Sequence, residues 1–133
     1  MKSELEIKLI TEFPFLRPCN DIYAAFGMEC GDGWFNVVYG LCKEIVELFE
    51  KNGYNADEIS LVPTQIKEKY GTLRFYFGIP DKTQSKLYDE IYDIVDKWEK
   101  ISGETCESCG EPGVCESDGY WISTLCKKCR NEN

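Results

Sequence analysis

The chain contains no histidine. This removes the commonest general base from any catalytic scheme and the commonest nitrogen ligand from any metal site. Long apolar runs are missing too: no stretch approaches the ~18 residues needed to cross a bilayer. The N-terminus, Met1-Lys2-Ser3-Glu4-Leu5-Glu6, meets charge at once and has no apolar segment of the secretory-leader type. Together these absences lead us to expect a soluble cytoplasmic protein without a membrane segment. Positive charge is scarce, with 15 Lys and Arg against 24 Asp and Glu and a net charge of -9. Tight duplex binding normally needs several cations on phosphates, so it is not expected here. No repeat and no low-complexity segment interrupts the chain.

What the chain does have is cysteine. Cys106-Glu107-Ser108-Cys109 is followed, after sixteen residues, by Cys126-Lys127-Lys128-Cys129. The spacing C-x2-C-x16-C-x2-C belongs to four-cysteine zinc sites, in which each C-x2-C turn presents two sulfurs and two turns complete a tetrahedron. Without histidine, such a site has to be built from thiolates. Two structural disulfides are the competing reading; the expected reducing compartment disfavours them. We therefore expect one structural Zn2+ on Cys106, Cys109, Cys126 and Cys129. Cys115 lies between the two pairs and is left out as a loop residue, because the four already fill the tetrahedron. Residues 104–133 are too short to fold without metal and are read as a zinc-held subdomain. They hold six carboxylates and three basic groups, so this ribbon is itself net negative. Trp121, Ile122 and Leu125 are expected to pack it onto the rest of the protein.

Residues 1–103 read as one α+β core with an irregular N-terminal part. Leu5, Leu9 and Phe13 share a helical face, with Ser3 and Glu6 as a capping box, although the alternation of Leu5, Ile7 and Leu9 suits a strand as well. Pro14 and Pro18 force an extended passage. Residues 19–33 are expected to be mostly irregular, with a short helical turn at Asp21–Phe26. Asp32 is placed to cap a helix starting near Trp34, whose stripe is Trp34, Val38, Leu41, Ile45 and Leu48. Gly53 stops it. Over residues 61–78 the period changes to two, with Tyr70-Gly71 as a two-residue hairpin turn. In that register Ile66 faces Phe75 and Thr64 faces Phe77. A second helix over about 82–102 carries Leu87, Ile91, Ile94, Val95, Trp98 and Ile101 on one side, and Gly103 ends it. The expected fold is α+β: two amphipathic helices packed on a β-hairpin, with a C-terminal four-cysteine zinc ribbon.

Candidate sites follow from that layout. Cys42 lies on the first apolar stripe and reads as core, while Cys19 and Cys30 are single thiols. A position near a helix N-terminus can activate Cys30, but no histidine is present to act as its base, and no acid–base pair is recognisable. We expect no catalytic residues. The hairpin face opposite the core carries Lys67, Lys69, Arg74 and Tyr76, and residues 61–78 hold three basic groups and one acid in an otherwise acidic chain. That face is our candidate for docking a partner. The outer side of the second helix is acidic, with Asp89, Glu90, Asp93, Asp96 and Glu99, and offers a different function as a mimic of nucleic acid.

Three stretches carry a resemblance: Cys30-Gly31-Asp32-Gly33-Trp34-Phe35, Gln65 through Tyr76, and Thr105-Cys106-Glu107-Ser108-Cys109-Gly110, with Trp121 through Cys129 as a fourth. Over roughly residues 27–130 the chain resembles a group of small uncharacterised proteins of bacterial genomes, phages and prophages. In that group the fourth metal position is often histidine, where this chain has Cys129, and the position of Cys115 is not usually a ligand. The resemblance implies no established activity. Its phage and prophage company implies a small accessory protein that binds a host factor. The function expected is a non-catalytic zinc-containing protein-binding module, a phage-type inhibitor or modulator of a bacterial host or defence protein. An acidic nucleic-acid mimic and a nucleic-acid-binding zinc ribbon are the alternatives.

Overall fold

The computed structural model describes residues 1–18 and 21–132. Among them are five α-helices, a three-stranded sheet and a two-stranded sheet, in an α+β arrangement that ends in a cysteine cluster. Helix α1 spans Ser3–Glu12. Its ambiguous apolar residues resolve as a helix: Leu9 and Phe13 are buried, whereas Ile7, which alternation would have buried, is exposed. The Ser3–Glu6 capping box does not form. Lys2 occupies the N-cap, and the Glu6 carboxylate instead accepts the Met28 N–H at 2.9 Å. A long-range backbone donor has taken the acceptor that the local motif would use.

Residues 21–33 hold more regular structure than their glycines imply. They include helix α2 (Asp21–Phe26), strand β1 (Met28–Glu29) and the start of a single 3-10 turn at Asp32–Trp34. Cys19 lies outside the described residues. Helix α3 (Phe35–Lys51) buries Val37, Val38, Leu41, Cys42, Ile45 and Phe49; of the expected stripe, Leu48 is half-buried and Trp34 is buried just ahead of the helix. Each such residue removed from water contributes about 1.5–3 kcal/mol. Gly53, at φ +88°, terminates the helix as expected. Asp32 does not cap α3. Its carboxylate accepts the Lys2 N–H at 2.8 Å, because the 3-10 turn carries it back, away from the helix start.

The hairpin forms between β2 (Val62–Lys69) and β3 (Thr72–Gly78), with Tyr70 at φ 54° and Gly71 at φ 85° as its two turn residues. Two left-handed residues match the twist of the strands they join. Ile66 faces Phe75 as expected, but Phe77 pairs with Pro63 rather than Thr64 because a bulge separates Pro63 from Gln65. Pro63 has no N–H to give to a ladder, and bulges are where strands accommodate proline. Strand β1 runs parallel to β2, an addition the sequence did not announce.

Helix α4 (Tyr88–Ser102) follows a short 3-10 turn and lies along the edge of β3. The outward N–H groups of Leu73 and Phe75 donate to Ser102 Oγ at 2.8 Å and Glu99 Oε2 at 2.9 Å. An open strand edge is thereby closed by side chains of the adjacent helix. Glu99, expected on the outer acidic side of α4, is thus drawn inward to the sheet. Against α3 the contact is tight at Gly40, where a Cβ would sit 2.2 Å from the Trp98 ring. Among the described residues no helix is long and apolar enough to cross a membrane.

Candidate metal centre and the face beside it

After Gly103 the chain enters a ribbon of strands β4 (Val114–Ser117) and β5 (Ile122–Leu125) and helix α5 (Lys127–Asn131). This ribbon has almost no interior. All of β4 is exposed, and Thr124 is the one buried residue of β5. An isolated two-stranded hairpin of this kind is marginal in water. What supports it is the cysteine cluster and a set of contacts to the rest of the protein.

The first cysteine pair sits in a turn closed by Cys106 N–H to Glu111 O at 2.7 Å and Gly110 N–H to Cys106 O at 2.9 Å, with Gly110 at φ +86°. The second pair starts α5, where Cys126 Sγ accepts the Cys129 N–H at 3.4 Å. Sequence spacing and structure agree here. The sulfurs of Cys106, Cys109, Cys126 and Cys129 all lie within 4.8 Å of one another and could hold one metal ion. The Cys109 and Cys126 sulfurs are 3.7 Å apart. A zinc ion at about 2.3 Å from each of four sulfurs requires edges of about 3.8 Å. A disulfide needs about 2.05 Å, and the cysteines are free. Four protein ligands around one ion leave no open position for water. Cys115 is outside this cluster, as expected, but it belongs to β4 rather than to a loop, with its thiol against the Tyr70 carbonyl at 3.8 Å.

Ionisation of the four thiols is uneven. Burial works against a Cys106 thiolate, but the N–H groups of Cys126, Cys109 and Ser108 outweigh it and bring the pKa down to about 6. Cys129 is pushed up to about 12 by the neighbouring Cys126 sulfur and by burial. Cys109 is raised as well: a Glu111 N–H favours its thiolate, yet burial and the sulfurs of Cys106 and Cys126 prevail. One negative charge is easily held in this cluster, and further charges repel it. A divalent cation held there would supply the missing counter-charge.

The motif around Gly31 and Gly33 gains a physical meaning from its position. A Cβ on Gly31 would lie 2.3 Å from the Glu107 carbonyl oxygen, and one on Gly33 2.2 Å from that of Cys106. Gly33 N–H donates to Glu107 O, Gly31 N–H to the Glu107 carboxylate at 2.9 Å, and the Trp34 indole to Thr105 O at 2.8 Å. The glycines and the tryptophan therefore form the seat on which the first cysteine turn rests. Glu107 is half-buried there, and burial raises its carboxyl above the ordinary range. Cys30, beside the seat, is pushed up to about 12, chiefly by burial, so it is a poor nucleophile near neutral pH. Cys42 is raised further by complete burial.

A second seat joins the ribbon to the β2–β3 turn. Thr124 Oγ1 donates to Gly71 O at 2.5 Å, and a Cβ on Gly71 would meet Cys115 Sγ at 2.6 Å. This corrects the expectation for Trp121 and Ile122. They do not pack the ribbon down; Trp121 is 75% exposed and Ile122 41%. Docking is done by backbone, Thr124 and glycine, which leaves the large side chains free.

Register places Lys67 opposite Arg74 and Tyr76 opposite Gln65, so Lys67, Lys69, Arg74 and Tyr76 share the expected face. They line two grooves rather than one. Lys67 and Lys69 face the ribbon tip across a groove of about 330 Å³, together with Tyr70, Tyr120, Trp121 and Ile122. Arg74 and Tyr76 face α4 across another of about 380 Å³, with Tyr88, Tyr92 and Glu99. Among the described residues none of the three cations is in an ion pair, and Arg74 Nε is buried without a partner. Arg74 is therefore more embedded than a freely solvated sheet residue. Sequence reasoning missed Tyr70 and Tyr120 as groove residues and favoured packing over exposure for Trp121. The signal was there: Asp118-Gly119 is a turn dipeptide, so the aromatic pair after it had to lie at a hairpin tip. The chain matches no protein-family model, no curated protein and no solved structure.

Proposed function

We propose that this chain is a non-catalytic, zinc-containing protein-binding module. The observation that carries the reading is the half-buried Lys67–Arg74 cross-strand pair on the sheet face turned from the core of a protein of net charge -9, in no ion pair among the described residues and with exposed aromatic rings on both sides. Tryptophan, tyrosine and arginine are the residues that dominate protein interfaces, and unpaired cations on such a face select an acidic partner surface. Zinc suits an all-thiolate site, and its part is structural: it fixes the ribbon that forms one wall of the face. The resemblance of the glycine seat, the hairpin and the cysteine turns to small phage and prophage proteins extends the proposal to a modulator of a bacterial host or defence protein. The acidic-mimic alternative has less support, because Lys97 and Lys100 interrupt the carboxylates of α4 and Lys100 pairs with Asp96 at 3.0 Å.

The test is affinity capture from a bacterial lysate with the full chain and with a Lys67→Glu, Lys69→Glu variant, alongside a thermal melt. Arg74 is a poorer choice, since a glutamate there would be set beside half-buried Glu99. The variant should melt like the wild type and lose the captured protein. Capture of the same protein at wild-type level by the variant would exclude this face.

A further inference from the structure

The groove between the β2–β3 turn and the tip of the β4–β5 hairpin exposes large rings in a fixed geometry. Tyr120 is 94% exposed, Trp121 75% and Tyr70 65%. The tip is not a loose end. The Asp118 carboxylate accepts the N–H groups of Tyr120 at 2.9 Å and Trp121 at 2.8 Å, and Asp118 N–H donates to the Trp121 carbonyl at 3.0 Å. Three hydrogen bonds thus hold two aromatic residues out in water, where they contribute nothing to the protein's own core. Covering such rings returns about 25 cal/mol per Å² of apolar surface, which an internal contact could have claimed.

The polar side of the groove is equally specific. Lys67 and Lys69 lie two residues apart on β2 and point to the same side, about 6.8 Å from each other along the strand. The acid between them, Glu68, also lines the groove, and its carboxylate accepts the Gly71 N–H at 2.7 Å, so two cations stand against one anion there. Lys69 stands 5.6 Å from the centre of the Tyr70 ring.

We propose that this groove anchors an extended acidic segment of a partner protein, with carboxylates at alternate positions on Lys67 and Lys69 and an apolar side chain against Trp121 and Ile122. Alternate side chains of an extended peptide repeat at the same spacing as the two lysines, which fits a strand-like ligand better than a helix. Single-stranded nucleic acid is the competing occupant, since bases also stack on exposed rings. Two lysines on a chain of net charge -9 give it little to hold phosphates with. The inference rests on the protein-binding reading above and narrows it to one groove and one partner chemistry.

The experiment is a nitrogen–proton correlation titration of the full metal-loaded chain, followed at the Trp121 indole and the Tyr70 and Ile122 amides. The probes are an acetylated peptide alternating Glu with Leu, the matching Lys and Leu peptide, and a thymidine oligonucleotide. The Glu-Leu peptide should give saturable shifts at millimolar concentration that weaken with salt. Trp121→Ala should weaken them about fivefold and Lys67→Glu with Lys69→Glu about tenfold or more, with the remaining spectrum unchanged. The proposal is overturned if the Glu-Leu peptide gives no saturable shift, if the Lys-Leu peptide binds as well, if the oligonucleotide alone binds, or if either variant retains wild-type affinity. A captured partner lost by the lysine variant but kept by Trp121→Ala would reject the groove and leave the broader protein-binding reading standing.

Discussion

Trp34 and Trp121 show how differently the two regions of this molecule are built. Trp34 is 0% exposed, with its ring in the core and its indole N–H on the Thr105 carbonyl; Trp121 is 75% exposed at a hairpin tip. The first region buries a continuous apolar cluster from α1, α3, the sheet and α4. The second buries two of its cysteines, Thr124 and little else. One is held by burial; the other has a four-cysteine cluster, where a metal ion would cross-link it, and seats made of glycine and backbone. A region that does not need its large side chains for packing can put them at the surface. That is the physical reason the ribbon, rather than the helices, carries the most exposed rings.

Breaking the cross-link is the harshest test of this contrast. Chelation under reducing conditions, or Cys109→Ser, should unfold the ribbon while the α3–hairpin–α4 core stays folded. A structural zinc contributes about 10–16 kcal/mol in small metal-held domains, far more than the ribbon's own burial. Amide spectra should lose the dispersed signals of residues 104–132 and keep those of α3. If all cooperative unfolding disappears instead, the two regions form a single unit, joined through the seats of Gly31, Gly33 and Gly71.

The two tryptophans sharpen the comparison. Trp34→Ala should cost about 3–5 kcal/mol in denaturant unfolding, as expected for an emptied core position. Trp121→Ala should stay within about 0.5 kcal/mol of the wild type. A large loss at Trp121 would mean that the tip supports the ribbon after all. Gly33→Ala probes the seam itself. Its Cβ would collide with the Cys106 carbonyl, part of a turn that cannot move away, so a loss of about 1–3 kcal/mol is expected. An unchanged melting curve would show that the seat is looser than its contacts imply.

The smallest expected effect is a pH slope. Burial raises the Glu99 carboxyl, against the Phe75 N–H and the nearby Arg74, which favour its charge. A raised folded-state value means that this group's contribution is fully present below the ordinary glutamate range, about pH 4.3, and is lost as pH rises through the raised value. Glu99→Gln keeps an acceptor for Phe75 N–H and removes the titration. The stability of the wild type relative to the variant should therefore fall as pH rises across that window in urea melts. A constant difference would mean that Glu99 titrates normally.

Much of this was legible in the residues. The stripes of α3 and α4, the Tyr70-Gly71 turn and the four-cysteine spacing are local patterns with one physical solution each. Three exceptions share a cause: a long-range partner replaced a local one. Glu6 left its capping box for Met28, Asp32 left the start of α3 for Lys2, and Glu99 left the outer side of α4 for the edge of β3. Pro63 shifted the far end of the hairpin by one residue through a bulge. Trp121 was misplaced for a different reason. Apolar residues are expected inside, and only the three-dimensional path of the ribbon shows that its docking is done by Thr124, Gly71 and Gly33 instead.

The central claim is that one metal ion on four thiolates holds the second region together. Native mass spectrometry of the freshly purified, reduced chain tests it most directly. The account predicts one zinc ion per chain, lost together with the ribbon's amide dispersion when Cys109 is replaced by serine. A metal-free chain whose ribbon is nevertheless folded, or a disulfide among Cys106, Cys109, Cys126 and Cys129, would contradict it.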